Sequence, residues 1–207
     1  MLWDKKEGAL VNNESREILR MLTTQFGELV GEPGGDADRG GIDLCPSELR
    51  DDIDETIDAI YEPINNGVYS AGFADSQQAY DEAVDILFAA LAHWDEVLAD
   101  QRYLCGETLT EADICMFTTL LRFDPVYSTH FKCNRQRLKE FDNLWNYTKD
   151  IYQQPGVAET VDISHIKEHY YTTHPDVTPH GIIAQGPDLD FSEPHDRDRL
   201  AAAADPQ

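Results

Sequence analysis

The sequence predicts a mainly α-helical fold, with a short β-hairpin and one helix ahead of a helical bundle. Three observations predict it. From Ser47 to about Tyr171 apolar residues recur at helical spacing, most clearly Tyr80, Val84, Leu87, Leu91, Trp94 and Leu98, which share one helix face. Leu2-Trp3-Asp4 and Ala9-Leu10-Val11 flank a turn at Gly8, the pattern of a hairpin. Between the two regions lies Gly-Glu-Pro-Gly-Gly-Asp-Ala-Asp-Arg-Gly-Gly, which supports neither element.

In chain order, residues 1–26 read as the hairpin followed by a helix that carries Ile18, Leu19 and Leu22 and is started by Asn13 or Ser15. Residues 27–46 read as a linker. Residues 47–173 form the all-α domain, and 174–207 an irregular tail, because Pro175, Pro179, Pro187 and Pro194 forbid a continuous helix there.

The 207 residues are 41% apolar, enough to bury a sizeable core. Forty acidic against 16 basic side chains give a net charge of −24, which repels nucleic-acid phosphates and anionic lipid and argues against either partner. Most of the acids are Asp, spread over every predicted helix, which suits a surface kept hydrated in very high salt. The start shows no signal-like region and no stretch approaches the ~18 apolar residues of a membrane span, so a cytoplasmic protein is expected. The four cysteines, Cys45, Cys105, Cys115 and Cys133, have no CxxC spacing; neither a metal site nor a disulfide framework is indicated, and most are expected to be small buried hydrophobes.

Thr110 and Asp113 have the spacing of a capping box, in which each side chain satisfies the other's backbone N–H at a helix start. Alone it says only that a helix begins, and losing Asp113 would cost about 1–2 kcal/mol. Preceded by Tyr103-Leu104-Cys105-Gly106, the segment resembles the Tyr-Leu-x-Gly-x-x-x-Thr-x-Ala-Asp stretch of the helical domain in glutathione transferases. Four further segments resemble one branch of that superfamily, the glutathionyl-hydroquinone reductases. They are Ile64-Asn65-Asn66-Gly67-Val68-Tyr69-Ser70-Ala71-Gly72-Phe73-Ala74, Arg122-Phe123-Asp124-Pro125-Val126-Tyr127, His130-Phe131-Lys132-Cys133-Asn134, and Ile166-Lys167-Glu168-His169-Tyr170-Tyr171.

The resemblance implies a glutathione transferase C-terminal helical bundle preceded by a β-hairpin-plus-helix remnant of a thioredoxin-like domain. It also implies a homodimer. The family's reaction releases hydroquinone from a glutathionyl adduct: a cysteine thiolate attacks the adduct sulfur and is left as a mixed disulfide, which a second thiol clears. The thiol site is implied at Val11, Glu14 and Ser15. Glu14 would pair with the α-ammonium of the γ-glutamyl group, and Ser15 with the local N–H groups would receive its carboxylate. Such a site would serve γ-glutamylcysteine as readily as glutathione, and no metal is called for. Ser15 simply capping a helix is the other reading.

The quinol pocket is implied at Tyr69, Tyr127 and Tyr170, whose phenols would hydrogen-bond a quinol oxygen and stabilise the departing phenolate. By residue type alone these tyrosines read as core. Tyr171 is the structural counterpart of Tyr170, because adjacent helical residues point about 100° apart.

The family's nucleophile stands in a Cys-Pro-x-x motif within the thioredoxin-like half, which would precede Leu2. Here Cys-Pro occurs at Cys45-Pro46, whose place after the linker reads as structural rather than catalytic. Three readings stay open: part of a complete reductase, a non-catalytic dimerisation or ligand-binding module, or an enzyme assembled from two chains.

Overall fold

A computed structural model describes residues 1–25 and 43–201. Strands β1 (Leu2–Asp4) and β2 (Ala9–Asn12) pair antiparallel, Trp3 opposite Leu10 and Asp4 opposite Ala9. Gly8 turns the chain between them at φ +63°, in the left-handed region that Gly enters without a steric penalty. The Asp4 carboxylate accepts the N–H groups of Lys6 and Glu7 and fixes the turn.

Helix α1 (Ser15–Thr24) follows. Its cap residue is Glu14, not Asn13 or Ser15 as the sequence suggests. The reason is local: the Asn12 side chain accepts the Glu14 N–H at 2.7 Å, which closes the turn one residue past Asn13 and makes Ser15 the first helical residue. No side chain caps this helix, so its first N–H groups have no side-chain acceptor.

Residues 26–42, the larger part of the predicted linker, lie outside the described residues. The chain resumes at Asp43, and Leu44 already accepts the N–H of Glu111 at 2.8 Å. The bundle then comprises α2 (Arg50–Ile60), α3 (Gly67–Gly72), α4 (Gln77–Val97), α5 (Glu111–Arg122), α6 (Ser128–His130), α7 (Asp142–Tyr152) and α8 (Ile163–Thr173). Ile53, Ile57 and Ile60 of α2, Val84, Leu87, Leu91 and Trp94 of α4, and Met116 and Leu120 of α5 are buried in one core. The apolar face read from the sequence is thus the face that meets the core.

The helical stretch is not uniform. Tyr61–Asn65 and Phe123–Tyr127 are π-helical turns, each with a proline near its middle, Pro63 and Pro125. Proline cannot donate to the carbonyl four residues back and its ring crowds that carbonyl; widening the turn relieves both.

The capping box is present at Thr110 and Asp113. Asp113 does more than cap: its carboxylate accepts from Thr110 N, Thr110 Oγ1, Leu104 N and Tyr147 OH, all at 2.8–2.9 Å. It is fully buried, and that burial pushes its carboxyl above the usual range against the pull of these donors.

After Thr173 the tail is irregular up to the short helix α9 (Asp198–Ala201). It is strapped to the bundle. Phe191 packs between Trp145 and Tyr152, and Lys149 donates to the Pro194 carbonyl at 2.7 Å. Arg197 is wholly buried and donates to the carbonyls of Leu98, Gln101 and Arg102, just beyond the last turn of α4.

Candidate functional site

Each π turn sets a tyrosine. Tyr69 stands on α3, one turn past the first; Tyr127 closes the second. Tyr170 comes from α8. Their hydroxyls meet: Tyr69 to Tyr170 at 2.6 Å, Tyr127 to Tyr170 at 2.9 Å, Tyr69 to Tyr127 at 3.4 Å. Burial pushes the Tyr170 hydroxyl up to about 12, and burial together with the neighbouring phenols pushes the Tyr127 hydroxyl higher still. Tyr127 and Tyr170 therefore carry a proton to donate at neutral pH. Tyr171 is buried on another side, its ring 4.7 Å from that of His130.

The rings are held by Phe131, whose centroid lies 5.4 Å from Tyr69, 5.6 Å from Tyr127 and 6.0 Å from Tyr170. A Cβ on Gly72 would come within 2.3 Å of the Phe131 ring, so only glycine permits this approach. Behind it His130 bonds the His174 ring and the Thr178 hydroxyl, both at 3.0 Å, fastening the tail to the turn that carries Tyr127. Burial lowers the His130 imidazole to about 4 and keeps it neutral. Asp124 of the same turn accepts the N–H of Leu138 at 2.7 Å.

A cavity of about 720 Å³ opens beside the tyrosines. Tyr69, Tyr127 and Tyr170 line it together with Glu14 and Ser15 at the start of α1, and Arg122 at the end of α5. Val11, on β2, is half exposed and is not one of the lining residues. Two residues that sequence reasoning passed over bring α1 to the wall. Arg16 binds Asp54 and Asp58 of α2, and Arg20 binds Asp54 and Glu111. Pairs 34–91 positions apart leave no spacing signal, though two arginines one turn apart in so acidic a chain were a hint. Asn65, in the first π turn, completes the wall by donating to Cys115 O at 2.8 Å and Thr119 Oγ1 at 2.7 Å.

The thiols are poorly suited to nucleophilic work. Cys45 and Cys133 are buried. Burial pushes the Cys133 thiol up to about 12 and Cys115, which lines the cavity, up to about 11. Cys105 is raised as well. Among the described residues no group of three or more His, Cys, Asp or Glu is arranged to hold a metal, and no helix is long and apolar enough to cross a membrane.

Residues 77–150 match the family of the glutathione S-transferase C-terminal domain. Over 198 residues the chain is 50% identical to the glutathionyl-hydroquinone reductase YqjG of Escherichia coli, covering 96% of this chain and 58% of the relative. It thus spans little more than half the length of that relative. Its fold is similar to a Xi-class glutathione transferase from Natrialba magadii, with 62% identity, a TM-score of 0.89, and coverage of 96% of this chain and 58% of that one. The glutathione-bound structure of YqjG superposes with a TM-score of 0.86 at 50% identity, covering 95% of this chain and 61% of that one. Along nearly its whole length the chain is thus strongly similar, in sequence and in helical fold, to the Xi-class glutathione transferases and the glutathionyl-hydroquinone reductases.

Proposed function

We propose that the cavity is the adduct site of a thiol-dependent reductase of S-glutathionyl-hydroquinones. One observation carries this: Glu14 and Ser15 line the same cavity as three phenols whose hydroxyls meet. The γ-glutamyl group lies at the uncapped start of α1, its ammonium beside Glu14 and its carboxylate on Ser15 and the free N–H groups. The quinol ring lies toward Tyr69, Tyr127 and Tyr170. The quinol ring first shifts a hydroxyl proton to its sulfur-bearing carbon, becoming the keto tautomer. A thiolate then attacks the adduct sulfur and forms a disulfide with it as the carbon–sulfur bond breaks, and the electron pair of that bond moves through the ring onto the carbonyl oxygen. The phenols donate to that oxygen as its charge grows, and the ring leaves as hydroquinone. The thiol is glutathione, or γ-glutamylcysteine, whose γ-glutamyl end is the same. The working form is a cytoplasmic homodimer with no metal.

The domain assignment proposed with this function is a thioredoxin-like remnant at 1–26, a linker at 27–46, the helical domain at 47–173 and the tail at 174–207. The thiolate belongs to a Cys-Pro-x-x segment of a thioredoxin-like half. The raised thiols of Cys105, Cys115 and Cys133 favour a second reading for these 207 residues alone, a ligand-binding module without turnover.

The test compares hydroquinone release by the 207-residue chain, by Cys45→Ser within it, and by the chain joined to a thioredoxin-like segment carrying Cys-Pro-x-x. The short chain should be nearly inert and the joined form active. Turnover by the short chain that Cys45→Ser abolishes would place the nucleophile at Cys45; an inactive joined form would leave the binding module.

A further inference from the structure

The cavity wall carries two cations, Arg16 and Arg122. Arg16 is engaged by Asp54 and Asp58. Among the described residues Arg122, like Arg50, Arg137 and Arg197, makes no ion pair with a carboxylate, but of these four it alone lines this cavity. One Arg122 nitrogen donates to the Thr118 carbonyl a turn earlier, at 2.6 Å, which holds the side chain along α5 and leaves the rest of the guanidinium fork open. In a chain of net charge −24, an arginine on a cavity wall without an acid beside it calls for a ligand anion.

Its position says which part of the ligand. Arg16 follows Ser15 at the thiol end and is bound to Asp54 and Asp58 of α2, whereas Arg122 comes from the far end of α5. The next residue, Phe123, begins the π turn that ends in Tyr127, and Arg122 lines the cavity together with Tyr127 and Tyr170. Arg122 therefore stands at the quinol end. A hydroquinone ring is itself uncharged and gives a guanidinium no ion to pair with; a carboxylate on that ring would, and the planar fork matches a carboxylate with two parallel hydrogen bonds.

Resting on the reductase reading above, we propose that Arg122 is a specificity-determining residue that receives a carboxylate carried by the quinol ring, making ring-carboxylated hydroquinones and their thiol adducts the preferred substrate class. The test titrates the 207-residue chain calorimetrically in roughly 1 M KCl, where the Debye length of about 3 Å suppresses the general repulsion of anions. The ligands are gentisate, a hydroquinone carboxylate, methylhydroquinone, glutathione and γ-glutamylcysteine, each against the unaltered chain, Arg122→Gln and Arg122→Lys. Gentisate should bind at least about tenfold tighter than methylhydroquinone, Arg122→Gln should bring the ratio to about one, and Arg122→Lys should keep part of it. A ratio near one in the unaltered chain, or one that survives in Arg122→Gln, overturns the proposal. So does an equal loss for both rings, which would put Arg122 on a ring hydroxyl, or a loss for glutathione but not γ-glutamylcysteine, which would give it the glycine carboxylate of the thiol. Methylhydroquinone binding with no gentisate preference defeats this inference alone; no binding of either ring defeats the reductase reading with it.

Discussion

The hydroxyls of Tyr69 and Tyr170 stand 2.6 Å apart although 101 positions separate them in the chain. Closing that gap takes a helix from each end of the bundle and, between them, the Phe131 ring that both tyrosines touch edge-on. The pocket's geometry thus depends on how closely α3 approaches Phe131, and that approach depends on Gly72.

Gly72→Ala should accordingly act on the tyrosines without touching them. The new methyl would lie within 2.3 Å of Phe131 ring carbons, so the ring must move. Overpacking of this kind costs about 1–3 kcal/mol. A denaturant melt should show that loss, and binding of a hydroquinone should weaken with it; an unchanged midpoint would mean Phe131 is not fixed as described.

The pH dependence has a sign at each end. The Tyr170 and Tyr103 hydroxyls, each raised to about 12 chiefly by burial, favour the folded state fully below the unfolded value of about 10, and this contribution disappears as pH rises through 12. Asp54 is lowered, first by its bond to Arg20, so its contribution is present above the unfolded value of about 3.9 and goes as pH falls through the folded one. Melting curves should therefore drop between pH 10 and 12 and again below about pH 4, and Asp54→Asn should blunt only the acid limb.

Asp113 should prove more costly to remove than an ordinary helix cap. Asp113→Ala leaves two backbone N–H groups and two hydroxyls without their acceptor in the core. Each stranded donor costs about 1–3 kcal/mol, so a loss of about 3 kcal/mol or more is expected in a chemical melt, beyond the ~1–2 kcal/mol of a cap alone. A loss within the range of a simple cap would show that the Leu104 and Tyr147 bonds add little.

The apolar face of α4, the capping box and the three tyrosine motifs were legible because each is a local pattern. What stayed hidden was either a small change of helical period or a contact between distant residues. Pro63 and Pro125 were visible inside helical stretches, yet a 3.6-residue period cannot show where a turn widens to five. Arg197 sat in a tail read as irregular, and its acceptors lie 95–99 positions away. The cap of α1 shifted to Glu14 because an Asn12 side-chain turn competed with the expected caps.

Salt should stabilise the fold. With a net charge of −24, the surface repels itself at low ionic strength, and the Debye length shortens from about 10 Å at 0.1 M to about 3 Å at 1 M. The melting temperature should climb steadily between roughly 0.1 and 2 M KCl. A flat profile would mean that the acids are spaced too widely to matter.

The central claim, that the start of α1 and the three phenols hold two ends of one ligand, is tested most directly by titrating the 207-residue chain with an S-glutathionyl-hydroquinone, with glutathione and with the free hydroquinone. The adduct should bind tighter than either part. Glu14→Ala should weaken the adduct and glutathione alike while sparing hydroquinone; Tyr127→Phe should weaken the adduct and hydroquinone by about tenfold while sparing glutathione. Equal losses from both variants for every ligand, or an adduct that binds no better than its parts, would contradict a shared site.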